Sequence, residues 1–295
     1  HLGHARLLEM CGEYKKAGAS AVAAVTFEPH PLTTLRPAEA PPRLTSPRHK
    51  QELIASLGAD DYVVLPPSRD VLDLTAEAFW QILREEVRPA YLVEGKQFTF
   101  GKGAKGNVTR LADWVKESTV QLHVTEAVTV ALLDLSLVPV SSSLVRWLLA
   151  HGRVRDAAIC LGRPYRLNGT VIEGARRGRT IGVPTANLRL EGQMIPGDGV
   201  YAGRCAVDGK TYAAAINLGP LPTFDENARQ VEAHLIGFSG DLYGRMLELD
   251  LLDWLRDQRK FAGIDALKAQ LDRDIQTAHQ RQAMDAARPI AAASL

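Results

Sequence analysis

The hydrophobic period of this chain changes once, near Gly162, and that change limits the folds open to it. Ahead of it, short apolar runs alternate with segments whose apolar residues recur at helical spacing. The pattern predicts a helix over Ala5–Lys16, stopped at Gly18, then a strand buried on both faces over Ser20–Phe27. A proline-rich loop follows, and the order repeats: helix Pro47–Leu57, strand Asp61–Pro66, helix Thr75–Val87, strand Ala90–Gly95. Strands and helices in this alternation build an α/β domain around a parallel, doubly wound sheet. Such sheets bind ligands at the carboxyl ends of their strands. Here those ends are the loops "FEPHP" and "EGKQFTFGKGAKG".

After "LGRPY" (Leu161–Tyr165) the helical pattern gives way to glycine-punctuated strands, among them "YRLNGTVIEG", "GVYAGRCAV", "VEAHLIGF" and "MLELDLLDWL". Their spacing predicts a small antiparallel β-barrel. One helix closes it, with Ile264, Leu267, Leu271 and Ile275 on a single face, and residues 281–295 form a mobile tail. A length of 295 residues accommodates the two domains, 1–161 and 162–280. With 35 basic against 34 acidic side chains, the chain lacks the basic excess of a nucleic-acid binder. No apolar run approaches the roughly 20 residues of a membrane span. Cys11, Cys160 and Cys205 have neither metal-site nor disulfide spacing, which points to a reducing, cytoplasmic setting.

Three motifs carry chemistry. "HLGH" supplies His1, Gly3 and His4, a tetrapeptide that alone says little. In "VPVSSSLVRWLL" the serines Ser141, Ser142 and Ser143 are placed to cap a helix, and the same geometry aims hydroxyls, backbone N–H groups and Arg146 at an anion. The most informative stretch is "GARRGRTIGVPTANL". Read blandly, it is a basic, glycine-rich hairpin loop. Read chemically, Gly174, Gly178 and Gly182 allow close backbone approach, and Arg176, Arg177 and Arg179 add charge where phosphates would lie. Thr185 and Asn187 then offer a hydroxyl and an amide oxygen on one side of a strand, hard donors suited to Mg²⁺ held largely by substrate phosphates.

An HxGH early and an SSxxxR late resemble the nucleotidylyl transferase superfamily. With "TFEPHP", "RLT" followed by Lys50, "FTFG", "GRTIGVPTANL", "NLGPLPTF", "VEAHLIGFSGDLYG" and "LRDQRKF" in one order, the chain resembles the prokaryotic bifunctional riboflavin kinase/FAD synthetases from His1 to about Ala278. The resemblance implies that ATP phosphorylates riboflavin to FMN in the barrel, and that the first domain joins AMP to FMN as FAD, releasing pyrophosphate. It implies ATP and phosphate handling by His1, Gly3, His4, Ser141, Ser142, Ser143, Arg146, Gly174, Arg179, Gly182 and Thr185. Thr185 and Asn187 match the magnesium ligands, and Glu232 matches the general base. Phe27, His30, Pro31, Phe98, Phe100 and Arg256 match the flavin-contacting regions; for each of the three phenylalanines a place in the core is an equal alternative.

The chain departs from the family in places. Gln97 stands where many relatives carry Asp, with Lys96 beside it, and Leu221 replaces a common Arg. The family's strand and Gly-x-Phe-Asp-Gly-Val segment ahead of HxGH are expected upstream of the sequence given, leaving His1–Gly18 locally disordered. Two other readings stay open: a riboflavin kinase with a non-catalytic first domain, and a flavin-binding module without turnover.

Overall fold

The computed structural model describes residues 1–174, 178, 181–220 and 229–287, and the chain divides into two compact units. The first comprises His1–Pro42 and Pro47–Thr129; the second comprises Arg43–Ser46 and the chain from Val130 on.

In the first unit, α1 (Leu2–Lys16) leads into β1 (Ala23–Phe27) and the single-turn α2 (Leu32–Leu35). Then come α3 (Pro47–Ser56), β2 (Asp61–Leu65), the short α4 (Arg69–Leu72) and α5 (Ala76–Ile82). β1 and β2 are parallel, as are β3 (Tyr91–Gly95) and β6 (Gln121–Thr125). Between the latter two lie the small antiparallel pair β4 (Thr99–Phe100) and β5 (Gly106–Asn107) and helix α6 (Val108–Val115). β1, β2 and β3, with α1 and α3, are those the hydrophobic period predicts; α6 and β6 are not among its predictions.

Three expectations need correcting. His1–Gly18 is not disordered: α1 is continuous, with the His1 side chain capping its first turn. The run over Ser20–Phe27 is not buried on both faces. Among the described residues β1 pairs only with β2, and this open edge leaves Val25 57% exposed. Third, α5 ends at Ile82 and the chain continues as a π-helical turn, Leu83–Val87, closed by Arg88 at φ 49°. A separate aromatic core joins Trp80, Phe100 and Leu111, with Phe79, Phe98 and Trp114 packed against it.

The strand pair β7 (Thr129–Ala131), whose first residue closes the first unit, and β8 (Leu137–Pro139) leads into α7 (Ser142–Ala150) and α8 (Val154–Leu161) of the second unit. Gly162, at φ 71°, supplies the left-handed cap that stops α8 and releases the chain into the barrel. Six strands close that barrel: β9 (Tyr165–Ile172), β10 (Ala186–Leu190), β11 (Gly199–Val207), β12 (Lys210–Pro220), β13 (Arg229–Leu235) and β14 (Met246–Arg256). They run β10-β13-β12-β11-β14-β9, and every neighbouring pair is antiparallel. Strand alternation sends Tyr165, Leu167, Tyr201, Ile216, Leu218, Leu249 and Leu251 inward as the fully buried core.

Helix α9 (Ile264–Ala287) covers β11, β12 and β14. It runs through residues 281–287, which were expected in a mobile tail, and 288–295 lie outside the described residues. The expected apolar face is only partly right. Leu267, Leu271 and Ile275 are half-buried, Ile264 is 56% exposed, and the buried centre of the face is Asp274 with Ala278. Ion pairs explain this polar centre: Arg256 grips Asp274 through Nη2–Oδ2 at 2.7 Å and Nε–Oδ1 at 3.0 Å. Arg281–Asp253 at 3.1 Å and Arg204–Asp285 at 2.6 Å repeat the tie further along. Arg204 also shares the buried Asp250 with Arg166, so one carboxylate links β9, β11 and β14. Removing one partner of such a buried pair leaves a charge without compensation. Arg256→Leu is therefore expected to lower the barrel's unfolding free energy by about 3 kcal/mol in urea melts, with much of the loss restored in the Arg256→Leu/Asp274→Leu double variant.

Candidate functional site

In the barrel, the strand period decides which side chains meet. Along β10, Ala186 and Leu188 point into the core, so Asn187 points out, and Thr185, just ahead of the strand, has the same parity. Along β13, Val231, Ala233 and Leu235 are buried, which puts Glu232 and His234 outward. Register then sets the neighbours: Glu232 lies opposite Asn187 on one side and opposite Asn217 of β12 on the other. Directly opposed residues share a face with Cβ atoms about 4.5–5.5 Å apart. One outward row across three strands therefore reads amide, carboxylate, amide.

The glycine-rich loop approaches this row closely. A methyl group on Gly174 would collide with the Asn187 side-chain amide. On Gly178 it would strike the Val183 carbonyl oxygen and come to 3.4 Å from Thr185 Oγ1. Gly182 has φ +84°, a left-handed backbone, so the three glycines are required for two different reasons. The Pro184 carbonyl oxygen and His234 Nδ1 lie 2.8 Å apart, fastening the Pro-Thr-Ala-Asn segment to β13. Arg176, Arg177 and Arg179 lie outside the described residues, as does Leu221.

Arg256, expected at the flavin, has its guanidinium engaged by Asp274 and 5.7 Å from the centre of the Phe261 ring. Its visible work is to hold the segment after β14 against α9. Gln258, which the motifs did not single out, donates to Asn217 Oδ1 at 2.8 Å and to the Leu218 carbonyl at 3.1 Å.

The other predicted residues fall at helix N-termini and strand ends. The HLGH motif forms the first turn of α1: His1 Nδ1 accepts from the His4 N–H at 3.3 Å, and the two rings stack with centroids 3.9 Å apart. Ser141 caps α7, accepting from the Leu144 N–H at 3.1 Å, with Ser142 and Ser143 in the first turn. Arg146 lies one turn further on, and burial pulls its pKa below the usual value. Both helix starts present free N–H groups and the positive end of a dipole, the ordinary basis of anion binding.

At the carboxyl end of β1, Lys50 donates to Thr26 Oγ1 at 2.7 Å and lies 3.8 Å from Glu28. Phe27 is half-buried there; His30 is exposed and accepts from the Leu32 N–H at 3.1 Å, and Pro31 precedes α2. Phe100 is a core aromatic, with Phe98 stacked on it at 5.5 Å. Sequence reasoning missed a cavity of about 430 Å³ at the carboxyl end of β6, lined by Arg6, His123, Thr125, Glu126 and Val128 among others. Its place at a strand end was the available signal.

Both constellations suit chemistry on phosphates: anion-ready helix starts in one case, hydroxyl, amide and carboxylate under a glycine-rich loop in the other. A riboflavin kinase family model matches residues 161–282, and an FAD synthetase family model matches residues 1–137. The chain is 34% identical over 282 residues to the bifunctional riboflavin kinase/FMN adenylyltransferase of Escherichia coli, covering 95% of this chain and 88% of that one. With the protein of the same description from Listeria monocytogenes it shares 31% identity over 279 residues, 94% of this chain and 87% of the other. A crystal structure from Streptococcus pneumoniae, described as a macrolide-efflux protein, is similar at TM-score 0.85 and 27% identity, over 95% of this chain and 90% of that one. The chain belongs to the bifunctional riboflavin kinase/FMN adenylyltransferase family. Among the described residues no helix is long and apolar enough to cross a membrane.

One carboxyl in the first unit is strongly perturbed. Burial lifts Glu94, near the end of β3, from 4.5 to about 7. A carboxyl whose folded pKa is raised favours the folded state most when protonated, so its contribution is lost as pH rises through the folded value. The first unit's stability to urea is expected to fall between pH 4.5 and about 7, and Glu94→Gln to flatten that slope.

Proposed function

We propose that the chain phosphorylates riboflavin to FMN with ATP in the barrel and adenylylates FMN to FAD with a second ATP in the first domain, releasing pyrophosphate. We take the functional domains to be 1–161 and 162–280, although the compact units divide between Thr129 and Val130. The observation that carries the reading is the outward row of Asn187 and Glu232, with Thr185 alongside, where Gly174 and Gly178 come too near for a Cβ to fit.

In the kinase step Glu232 takes the proton from the ribityl 5′-hydroxyl as that oxygen attacks the γ-phosphorus of ATP and ADP leaves. A base placed in this way contributes about 10²–10⁴ in rate. The Thr185 hydroxyl and Asn187 amide oxygen are the residues that would hold Mg²⁺. The donor set fits the ion, since hard oxygens from the protein number few and substrate phosphates supply the rest. Among the described residues there is no cluster of three or more His, Cys, Asp or Glu to form a protein-only cage. When bound, Mg²⁺ neutralises charge on the phosphate oxygens. Gly174, Gly178 and Gly182 let backbone approach the phosphates, and Arg179 adds positive charge.

In the adenylyl step the FMN phosphate oxygen attacks the α-phosphorus. The family resemblance assigns ATP and phosphate handling to His1, Gly3 and His4 at the start of α1, and likewise to Ser141, Ser142, Ser143 and Arg146 at the start of α7. Phe27, His30, Pro31 and Phe98 contact the flavin, with Phe100 supporting Phe98 from the core. The unbridged cysteines accord with work in a reducing cytoplasm.

Glu232→Ala is expected to cut FMN formation from riboflavin by at least about a hundredfold, while FAD formation from supplied FMN is unchanged. Chromatographic separation of the three flavins reads both. Normal FMN formation by this variant would remove Glu232 as the base. FMN formation by the unaltered chain, without pyrophosphate release from FMN and ATP, would favour the reading in which only the barrel is catalytic.

A further inference from the structure

Gln193 lies between β10 and β11 with 6% of its surface exposed, and both ends of its side-chain amide are engaged. Oε1 accepts from the Asn168 N–H at 3.1 Å, and Nε2 donates to the Arg166 carbonyl at 2.5 Å. β10 pairs with β9 only as far as Leu190 opposite Gly169, so these two β9 groups lie past the end of that ladder. The amide serves there as a substitute strand partner, a task that takes one acceptor and one donor. Its second N–H has no work on β9 and donates instead to the Leu44 carbonyl at 3.2 Å. Next to it the Met194 N–H donates to the Arg43 carbonyl at 2.8 Å, and Arg43 and Gln193 form a short parallel bridge. Arg43–Ser46 therefore belongs to the second unit, although the residues on either side of it in sequence belong to the first.

Those four residues sit within the connection from β1 to α3. Phe27, His30 and Pro31 stand at its start, and α3 at its end carries Lys50, which donates to Thr26 Oγ1. Ordering a long connection costs entropy that rises with its length, and a tie along the way divides it into shorter spans. The spans here are stiffened by proline: Pro37, Pro41 and Pro42 precede the tie, and Pro47 follows it. We propose that Gln193 is a positioning residue for the adenylyl step. Its clasp on Leu44 holds the connection that bears the flavin contacts, so that a side chain of the barrel governs how well the first domain captures FMN. This rests on the adenylyl reading of that domain.

The test is steady-state FAD formation from FMN and ATP with Mg²⁺ by the full chain, alongside riboflavin phosphorylation by the same preparation. Gln193→Met keeps the length of the side chain and removes the donor to Leu44. KM for FMN is expected to rise about tenfold, the scale set by one hydrogen bond, with kcat of the adenylyl step within about twofold. Riboflavin phosphorylation, which does not use the connection, is expected to keep its rate. Because Gln193→Met also strips two contacts from β9, a second variant leaves the barrel intact. Pro42→Gly loosens the span between the tie and the flavin contacts, and is expected to raise KM for FMN about threefold with riboflavin phosphorylation unchanged. A general loss of barrel stability would not produce that split between the two activities. An unmoved KM for FMN in Gln193→Met, or in Pro42→Gly should Gln193→Met lose both activities together, would overturn the proposal and leave the adenylyl reading standing. If the unaltered chain released no pyrophosphate from FMN and ATP, the adenylyl reading would fail and take this proposal with it.

Discussion

Strand register is the constraint on which the rest depends. Glu232 meets Asn187 and Asn217 only because β10, β13 and β12 pair in one alignment around the closed barrel. A slip of one residue would turn Glu232 into the core and bring Val231 or Ala233 outside, since side chains alternate faces. Closure and a core of Tyr165, Leu167, Tyr201, Ile216 and Leu249 make that slip costly, so the apolar interior fixes the polar exterior. The outward polar row and the hydrophobic core are two faces of the same alternation.

What covers the barrel follows a different logic. Helix α9 is held by apolar contact and by three ion pairs, with Asp274 buried at the centre of its face. Buried pairs add little net stability against well-packed apolar side chains, but they specify geometry. Here they fix β14 and β11 against α9, and Gln258, just past β14, is hydrogen-bonded to Asn217 and the Leu218 carbonyl of β12. Two helix beginnings carry sequence motifs: the His1 cap of α1 puts His4 in its first turn in the first unit, and the Ser141 cap does the same for Ser142 and Ser143 at α7 in the second unit.

Much of this was legible in the sequence because it rests on local signals. Period 3.6 and short apolar runs located α1, α3, β1, β2 and β3 to within a few residues, and glycine-punctuated strands announced the barrel. The outward pairing of Thr185 with Asn187 follows from spacing alone. Other features depend on partners distant in the chain. The exposure of Val25 comes from the absence of a second neighbour for β1 among the described residues, which no local pattern records. Asp274 interrupts an otherwise apolar stripe, and its charged partner Arg256 lies 18 positions away, with Gln270 as a second donor. Asn217 stood inside a recognised motif, yet its relation to Glu232 depends on register, and its relation to Gln258 crosses 41 positions.

The most direct measurement is an incubation of the chain with riboflavin, excess ATP and Mg²⁺, with riboflavin, FMN and FAD separated by chromatography over time. The account predicts FMN first, FAD after it, and a matched release of pyrophosphate with the second product only. Riboflavin remaining unphosphorylated, under conditions where the chain is folded, would contradict the assignment of the Asn187–Glu232 row as a kinase site.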